Sequence, residues 1–154
     1  LEHRVGGLEK DALSGNVSYD PDNHHHMTMV RQAKVDGIAK SLPPTNVIGE
    51  DSGDVLVVSW GSTYGTCLTA VRQLQREGKA VSMVSLRWLS PLPLDLETLF
   101  ARFKTVLVPE INNGQLLKLL RMHYDFNGVG YNRIAGQPLQ VNAVKNAIVD
   151  CLAS

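Results

Sequence analysis

The segment "DVLVVSWGSTYGT" (Asp54–Thr66) contains the clearest fold signal in the chain. Its first half is a nearly continuous apolar run of strand length, which is typical of a strand buried on both faces of a sheet. A tight glycine loop, Gly61–Thr66, comes next. A helical pattern then places Cys67, Val71 and Leu74 on one apolar face. A buried strand that leads through a tight loop into a helix is the repeating unit of parallel α/β sheets.

The same order of strand and helix recurs along the rest of the chain. Apolar runs predict two more buried strands and a weaker one, which are "AVSMVSL" (Ala80–Leu86), "TVLVPE" (Thr105–Glu110) and "GYNRIA" (Gly130–Ala135). The short run "NVI" (Asn46–Ile48) is a candidate edge strand. This alternation predicts an α/β fold with a mostly parallel sheet.

Helical patterns follow the predicted strands. The first helix ends near Glu77, and Gly78 is a suitable C′ residue. A short amphipathic helix is marked by Leu96, Leu99, Phe100 and Phe103. Another begins at "NNGQ" (Asn112–Gln115), and its predicted inner face consists of Leu116, Leu119, Leu120 and His123. The terminal helix is predicted from Val141, Val144, Ile148 and Cys151.

The first 42 residues lack this regular order. Residues 1–23 are rich in Gly, Asp and Ser and are expected to form an irregular arm. A helix is predicted from His24 to about Leu42, with Asn23 as its candidate N-cap and a weak apolar face. The prolines of "SLPPTN" (Ser41–Asn46) break this helix. We therefore predict two parts, an N-terminal arm and helix (1–42) and an α/β domain (43–154).

Composition limits the classes of function. The formal net charge is zero and the pI is about 7.1, so no basic field is present to hold nucleic acid or an acidic membrane surface. No apolar run approaches the roughly 18 residues that a membrane span needs, and the N-terminus lacks a signal-peptide pattern. The chain begins at Leu1, which is compatible with a fragment or a processed piece.

The chain contains only two cysteines, Cys67 and Cys151. They are far apart in the sequence and form no C-x-x-C motif. A disulfide framework is therefore not expected, and an iron–sulfur cluster would need several thiolates. Both residues fall on apolar helix faces, which is typical of reduced thiols in a cytoplasmic protein.

The first candidate site is the loop after the Asp54 strand. It consists of Gly61, Ser62, Thr63, Tyr64, Gly65 and Thr66. A loop that leaves a buried strand and opens a helix favours a phosphate or another anion, because backbone N–H groups and the helix dipole point outward there. The loop matches neither G-x-G-x-x-G nor G-x-x-x-x-G-K-[ST]. A tight strand–helix turn capped by Ser or Thr is the favoured interpretation.

The second candidate site is "PEINNGQ" (Pro109–Gln115), which also leaves a buried strand and enters a helix. Glu110 has the chemistry of a general acid or base, or of a carboxylate that holds a neighbouring loop. Asn112, Asn113 and Gln115 offer paired hydrogen bonds. Helix capping and loop anchoring are favoured over catalysis here.

The third candidate is the histidine run His24–His26, preceded by Asp20 and Asp22. Consecutive residues project about 100° apart on a helix, so these three cannot all chelate one ion from a regular helix. No metal site is predicted, although one histidine with a neighbouring aspartate would make a weak one. A solvated helix start or a contact surface for another domain is favoured. The chain contains no G-x-S-x-G or H-E-x-x-H motif, and no catalytic residue is assigned.

Four stretches together resemble a known family. They are "GLEKDALSGNVSYDPDNHHHM" (Gly7–Met27), "VVSWGSTYG" (Val57–Gly65), "LRWLSPLP" (Leu86–Pro93) and "LVPEINNGQL" (Leu107–Leu116). In this order they resemble the C-terminal part of the alpha subunits of 2-oxoacid:ferredoxin oxidoreductases, specifically the 2-oxoglutarate type. As a set they are fairly specific, and they cover nearly the whole chain.

The resemblance implies a fold similar to the C-terminal domain of transketolase. That fold has three layers, α/β/α, around a mixed, mostly parallel five-stranded sheet, in which "NVI" would run antiparallel at one edge. Counting "NVI" as the first strand, the implied order is 1-3-2-4-5. The Gly61–Thr66 and Glu110–Gln115 loops would then leave neighbouring strands and meet at the topological switch point, where open α/β sheets bind ligands or partners.

The family's reaction is the oxidative decarboxylation of a 2-oxoacid to an acyl-CoA. It uses thiamine diphosphate with magnesium, coenzyme A and iron–sulfur clusters that pass electrons to ferredoxin. This sequence lacks the G-D-G…N-N diphosphate motif and the cluster cysteines, so no cofactor is expected to be bound by this chain.

The resemblance therefore implies a structural and subunit-organising role, with the isolated chain inactive. Residues 1–42 would be the tail of a preceding domain. The implied partners are the other domains and subunits, including a thiamine-binding beta subunit, and a homo-oligomer is compatible with the sequence. The alternative is a free-standing α/β module that binds a small anionic ligand at Gly61–Thr66.

Overall fold

The computed structural model describes residues 6–153. The chain divides into two compact units, Leu1–Leu42 and Pro43–Ser154. The first unit contains helix α1 (Pro21–Ile38) and a short 3₁₀ turn (Ala39–Ser41). The second unit contains all four strands and the other helices.

The second unit is built on a parallel sheet. Its strands are β1 (Gly53–Trp60), β2 (Val81–Leu86), β3 (Phe103–Glu110) and β4 (Gly128–Asn132). They lie in the order β2-β1-β3-β4, and every neighbouring pair is parallel. The central strands are almost wholly buried, as their uninterrupted apolar sequences predict.

Helices cover both faces of this sheet. They are α2 (Tyr64–Arg76), α3 (Leu96–Phe100), α4 (Gln115–His123) and α5 (Val141–Leu152). Helices α2 and α5 pack on one face, in a core that includes Val57, Val71 and Ile148. Helices α3 and α4 pack on the other, in a core that includes Leu56 and Phe100. The α/β fold predicted from the sequence patterns and the three-layer α/β/α architecture implied by the resemblance are confirmed.

The sheet has four strands and not the five that the resemblance implied. The segment "NVI" contributes only an isolated antiparallel bridge from Ile48 to Met83 at the outer side of β2. Ile48 N–H donates to the Met83 carbonyl at 2.8 Å, and Met83 N–H donates back at 3.0 Å. Gly49 follows with φ +120° and lies against Ser82, so the chain leaves the sheet after one residue pair. Across the sheet, the Ile48 bridge is followed by β2, β1, β3 and β4. This is the implied order 1-3-2-4-5 when "NVI" is counted as the first strand.

Several boundaries differ from the prediction. Helix α1 begins at Pro21, and its N-cap is Asp20, whose Oδ1 accepts from Asn23 N–H at 2.7 Å. The Asn23 side chain is used elsewhere: it donates to the Lys10 carbonyl at 2.9 Å and accepts from Ala12 N–H at 3.1 Å. The side chain of the predicted N-cap, Asn23, therefore binds the backbone of the N-terminal arm and does not cap the helix.

Strand β4 starts two residues before the predicted strand and ends at Asn132. Gly128 lies so close to α4 that a Cβ there would come within 2.9 Å of the Leu117 side chain. In α4 itself, Leu117 is buried and His123 is exposed, so the predicted inner position of His123 is wrong. Phe103, predicted to lie on the short helix, is instead the first residue of β3.

The end of α2 agrees with its sequence signal. Gly78 has φ +75°, and its N–H donates to the Gln75 carbonyl at 3.0 Å. Lys79 N–H donates to the Leu74 carbonyl, also at 3.0 Å. This pair of bonds is a Schellman motif with glycine at C′, as predicted.

Candidate functional site

The two predicted loops lie at the carboxyl ends of neighbouring strands. Strand β1 pairs with β3 in register, with Val57 opposite Leu107. The chain leaves β1 toward α2 on one face of the sheet and leaves β3 toward α4 on the other. This is the topological switch point of the sheet. Ser62 and Ile111 line the same small cavity there, of about 300 Å³, together with residues 136–138.

The glycine loop is a helical turn rather than an open cradle. Gly61–Thr63 form a 3₁₀ turn that runs directly into α2, and Gly61 has φ +55°. The hydroxyl of buried Thr63 donates to the Trp60 carbonyl at 2.9 Å and accepts from Trp60 N–H at 3.3 Å. Thr63 therefore closes the turn, as the favoured strand–helix interpretation predicts.

The other members of this loop divide into two groups. The Thr66 hydroxyl donates to the Leu139 carbonyl at 3.1 Å and so ties α2 to the segment that precedes α5. Four residues are exposed: Gly61, Ser62, Tyr64 and Gly65. These four are accessible to a ligand or partner, whereas Thr66 is partly buried.

Glu110 is completely buried at the end of β3. Its Oε1 accepts from Leu116 N–H at 2.8 Å, and its Oε2 accepts from Leu117 N–H at 3.2 Å. Both carboxyl oxygens are thus used to cap α4, whose first N–H groups have no partner within the helix. A fully enclosed group in this position has no path to a substrate, so capping and not acid–base chemistry is the role that its geometry supports.

The remaining polar residues of the second loop shape the same turn. Asn112 Oδ1 accepts from Gln115 N–H at 2.9 Å. The Asn113 carbonyl accepts from the Lys118 ammonium at 2.9 Å. Asn113 and Gln115 are exposed. Gly114 between them has φ +73°, which allows the chain to reverse into α4.

A larger cleft lies beside the first loop and was not predicted from the sequence. Its volume is about 900 Å³, and its lining includes Trp60, Tyr64, Arg87 and Trp88. It is formed by the last residues of β1 and β2 and the residues that follow them, together with residues 43–46 and Ile48. A sequence signal for this cleft exists at the ends of two buried strands. Trp60 is the last residue of β1, and Arg87 directly follows β2.

The histidine run lies at the start of α1 in the first unit. His24 Nδ1 lies 2.8 Å from Glu9 Oε2. The Arg31 guanidinium donates to both oxygens of the same carboxylate at 3.0 Å each. Hydrogen bonding from Arg31, and then from His24, lowers the pKa of Glu9 to about 2. His25 and His26 are exposed.

The metals and clusters implied by the family do not fit the described residues. Within residues 6–153, no group of three or more His, Cys, Asp and Glu side chains could hold a metal ion. Cys67 is buried in the core, and desolvation raises its pKa to about 12, against a smaller lowering by the Thr63 hydroxyl. Such a thiol is a poor ligand, since metals bind the thiolate. In the same range, no helix is long and apolar enough to cross a membrane.

This architecture and these loop positions define the class of the protein, a transketolase C-terminal-like α/β domain. The family described as "Transketolase, C-terminal domain" matches residues 45–115. Within this class, the chain belongs to the family of 2-oxoacid:ferredoxin oxidoreductase alpha subunits, because it is 37% identical along 99% of its length to a subunit of a 2-oxoglutarate oxidoreductase. The resemblance predicted from the four motifs is thereby confirmed.

The most informative relatives match nearly the whole chain. The chain is 37% identical over 155 residues to the 2-oxoglutarate oxidoreductase subunit KorA of Mycobacterium tuberculosis, with 99% of this chain and 23% of that protein covered. It is 26% identical over 140 residues to the 2-oxoacid:ferredoxin oxidoreductase subunit alpha of Saccharolobus solfataricus, with 87% and 22% covered.

A solved structure agrees with this relationship. The 2-oxoglutarate:ferredoxin oxidoreductase from Magnetococcus marinus, with 2-oxoglutarate, coenzyme A and succinyl-CoA bound, matches with a TM-score of 0.86 and 29% identity. The match covers 98% of this chain and 27% of that one. The chain thus spans about a quarter of the length of these relatives.

Proposed function

We propose that this chain is a structural and subunit-organising part of a 2-oxoacid:ferredoxin oxidoreductase alpha subunit. The assembled enzyme would carry out the thiamine-diphosphate-dependent oxidative decarboxylation of 2-oxoglutarate to an acyl-CoA. The observation that carries the proposal is the 37% identity to a 2-oxoglutarate oxidoreductase subunit along 99% of the chain. The buried capping role of Glu110 supports an organising rather than a catalytic part.

The first unit supports a docking role. Helix α1 has 18 residues and none of them is buried. Met29, Val30 and Ile38 are each about half exposed. Helical stability in proteins comes mostly from packing of an apolar face, so a helix without any buried residue is expected to be covered by another part of the enzyme. We infer that residues 1–42 are the tail of a preceding domain.

The partners follow from the same proposal. The chain would pack on the thiamine-binding parts of the enzyme, including a beta subunit, and the complete enzyme would be cytoplasmic. Thiamine diphosphate with magnesium, coenzyme A and the iron–sulfur clusters would be held by those other parts. A homo-oligomer of the assembled enzyme is compatible with this arrangement.

A chimera tests the organising role. This chain would replace the matching segment of the Mycobacterium tuberculosis relative, and assembly and 2-oxoglutarate-dependent electron transfer would be measured. The chimera is expected to assemble and turn over, whereas a version that lacks the segment is expected to do neither. The isolated chain, supplied with thiamine diphosphate, magnesium and coenzyme A, is expected to show no turnover. Turnover by the isolated chain would overturn the proposal.

A second candidate function is a free-standing module that binds a small anion at Gly61–Thr66. The exposure of Gly61, Ser62 and Gly65 at the start of α2 favours it. Titration with inorganic phosphate or sulfate, followed by the backbone amide signals of Ser62–Thr66, tests this function. Saturable shifts confined to these amides would support it, and their absence at high millimolar concentration would exclude it.

A further inference from the structure

We propose that the cleft beside β1 and β2 binds a small ligand that combines a planar aromatic ring with an anionic group. The volume of the cleft, about 900 Å³, lies within the range of roughly 300–1,000 Å³ that is usual for small-molecule sites. Trp60 is the last residue of β1, and Arg87 follows the last residue of β2. The cleft therefore opens at the carboxyl edge of the sheet.

The lining of the cleft is suited to a planar ring. The chain contains two tryptophans, Trp60 and Trp88, and both line this cleft together with Tyr64. Trp88 is 37% exposed and Tyr64 is 42% exposed. Large aromatic side chains with accessible surface offer a stacking surface to a flat ligand and release water when they are covered.

The charge in the cleft favours an anion. Arg87 is the one charged residue among those that line it, and no aspartate or glutamate does so. Among residues 6–153, Arg87 makes no hydrogen bond or ion pair through its side chain. An arginine guanidinium presents a planar fork of donors that matches a phosphate or a carboxylate. Arg87 thus supplies an anion-binding group next to the aromatic surface.

The wall of the cleft is fixed in place before any ligand arrives. Thr45 N–H donates to Asp95 Oδ2 at 2.6 Å, and the Thr45 hydroxyl donates to Asp95 Oδ1 at 2.7 Å. Three residues further along this wall, Ile48 forms the bridge to Met83. The segment 43–48 is therefore attached at two points. This attachment reduces the conformational entropy that the protein segment would lose when a ligand binds.

The position of both tryptophans in the cleft provides a direct assay. Excitation of tryptophan fluorescence in the 154-residue chain reports on this cleft alone, because Trp60 and Trp88 are the chain's entire tryptophan content. The probes are AMP, which has both a ring and a phosphate, adenosine, which has the ring only, and inorganic phosphate. AMP is expected to change the fluorescence saturably and to bind about tenfold more tightly than either of the others.

Two variants assign the binding to the proposed groups. Arg87→Gln is expected to weaken AMP binding about tenfold and to leave adenosine binding unchanged. Trp88→Leu is expected to weaken the binding of AMP and of adenosine to the same extent. The fluorescence of Trp60 then reports the binding. Arg72→Gln, an exposed arginine of α2 outside the cleft, is the control and should bind like the parent chain. Thermal melting verifies that each variant is folded.

Two results would overturn the proposal. One is the absence of any saturable fluorescence change with AMP up to about 10 mM, the limit of a weak but specific site. The other is AMP binding that Arg87→Gln does not alter. Neither result depends on enzyme assembly, so the ligand site and the organising role are tested separately.

Discussion

Glu110 and Leu116 are joined by a hydrogen bond of 2.8 Å from the Leu116 N–H to Oε1 of a completely buried carboxyl group. This bond connects the end of β3 to the first turn of α4. Glu110, whose carboxyl group has the chemistry of a general acid or base, thus completes a strand–loop–helix unit. Two backbone N–H groups, those of Leu116 and Leu117, depend on it for their partners.

Glu110→Gln is expected to lower the free energy of unfolding by about 2 kcal/mol. The amide keeps the shape of the side chain and one acceptor oxygen, but its nitrogen cannot accept the second N–H, which remains buried and unpaired. Glu110→Ala removes both acceptors and should cost about 3 kcal/mol. Urea unfolding followed by circular dichroism measures both.

The matched control is Glu97→Gln in the first turn of α3. Glu97 is exposed, so its change is expected to stay within about 0.5 kcal/mol. Equal stability of Glu110→Gln and the parent chain would contradict the capping role and reopen the acid–base interpretation of Glu110.

Two glycines at the starts of helices should respond in opposite directions to alanine. Gly114 has φ +73°, and a Cβ there would lie 3.0 Å from Asn132 Nδ2. Gly114→Ala is therefore expected to cost about 1–2 kcal/mol. Gly65 lies within α2 with no atom within 4 Å of an added Cβ, so Gly65→Ala should be neutral or stabilising by up to about 1 kcal/mol. Melting temperatures of the two variants compare them directly, and a loss of stability in Gly65→Ala would show that this loop is less helical than described.

The parts of the fold that were predicted correctly depend on short-range patterns. The apolar run of β1, the inner face of α2 and the C′ position of Gly78 are all encoded within about one element of sequence. The five-stranded sheet came from the resemblance. The implied edge strand does not form, because Gly49, with φ +120°, turns the chain away from the sheet after Ile48.

The missed start of α1 is a local feature, Asp20 followed by Pro21, whereas several other missed parts depend on contacts between distant residues. Asn23 is a suitable N-cap by local pattern, but its side chain is bound to the arm at Lys10 and Ala12. The partner of His24 is Glu9, 15 positions away. The aromatic cleft draws its lining from separate segments that follow β1 and β2. Local periodicity contains no information about which distant side chains meet, so these features required the structure.

The three histidines are expected to differ in their effect on the first unit. His24 contacts Glu9, whereas His25 and His26 are exposed. The double variant His25→Ala/His26→Ala should leave the amide-exchange rates of residues 9–18 unchanged, and His24→Ala should accelerate them.

Because no group of described side chains could hold a metal, EDTA should not alter the melting temperature. A drop of several degrees with EDTA would indicate a structural metal and contradict this assignment.

The contact between Glu9 and Arg31 makes the attachment of the arm depend on pH. The pKa of Glu9 is lowered from 4.5 to about 2, first by hydrogen bonding from Arg31 and then by His24. A carboxyl group whose folded-state pKa is depressed stabilises the folded form above its unfolded pKa. This contribution is therefore complete above pH 4.5, falls as the pH drops toward 2, and is absent below that value.

NMR titration of the Glu9 carboxyl carbon measures this effect directly. The midpoint is expected near pH 2 in the parent chain and should move up toward 4.5 in Arg31→Gln. Ser18 N–H, which donates to the Glu9 carbonyl at 3.0 Å, should lose exchange protection over the same pH range. Lys34→Gln, an exposed change on α1, is the control and should leave the midpoint in place. A midpoint near 4.5 in the parent chain would mean that neither Arg31 nor His24 holds the Glu9 carboxylate in solution, which would contradict this prediction.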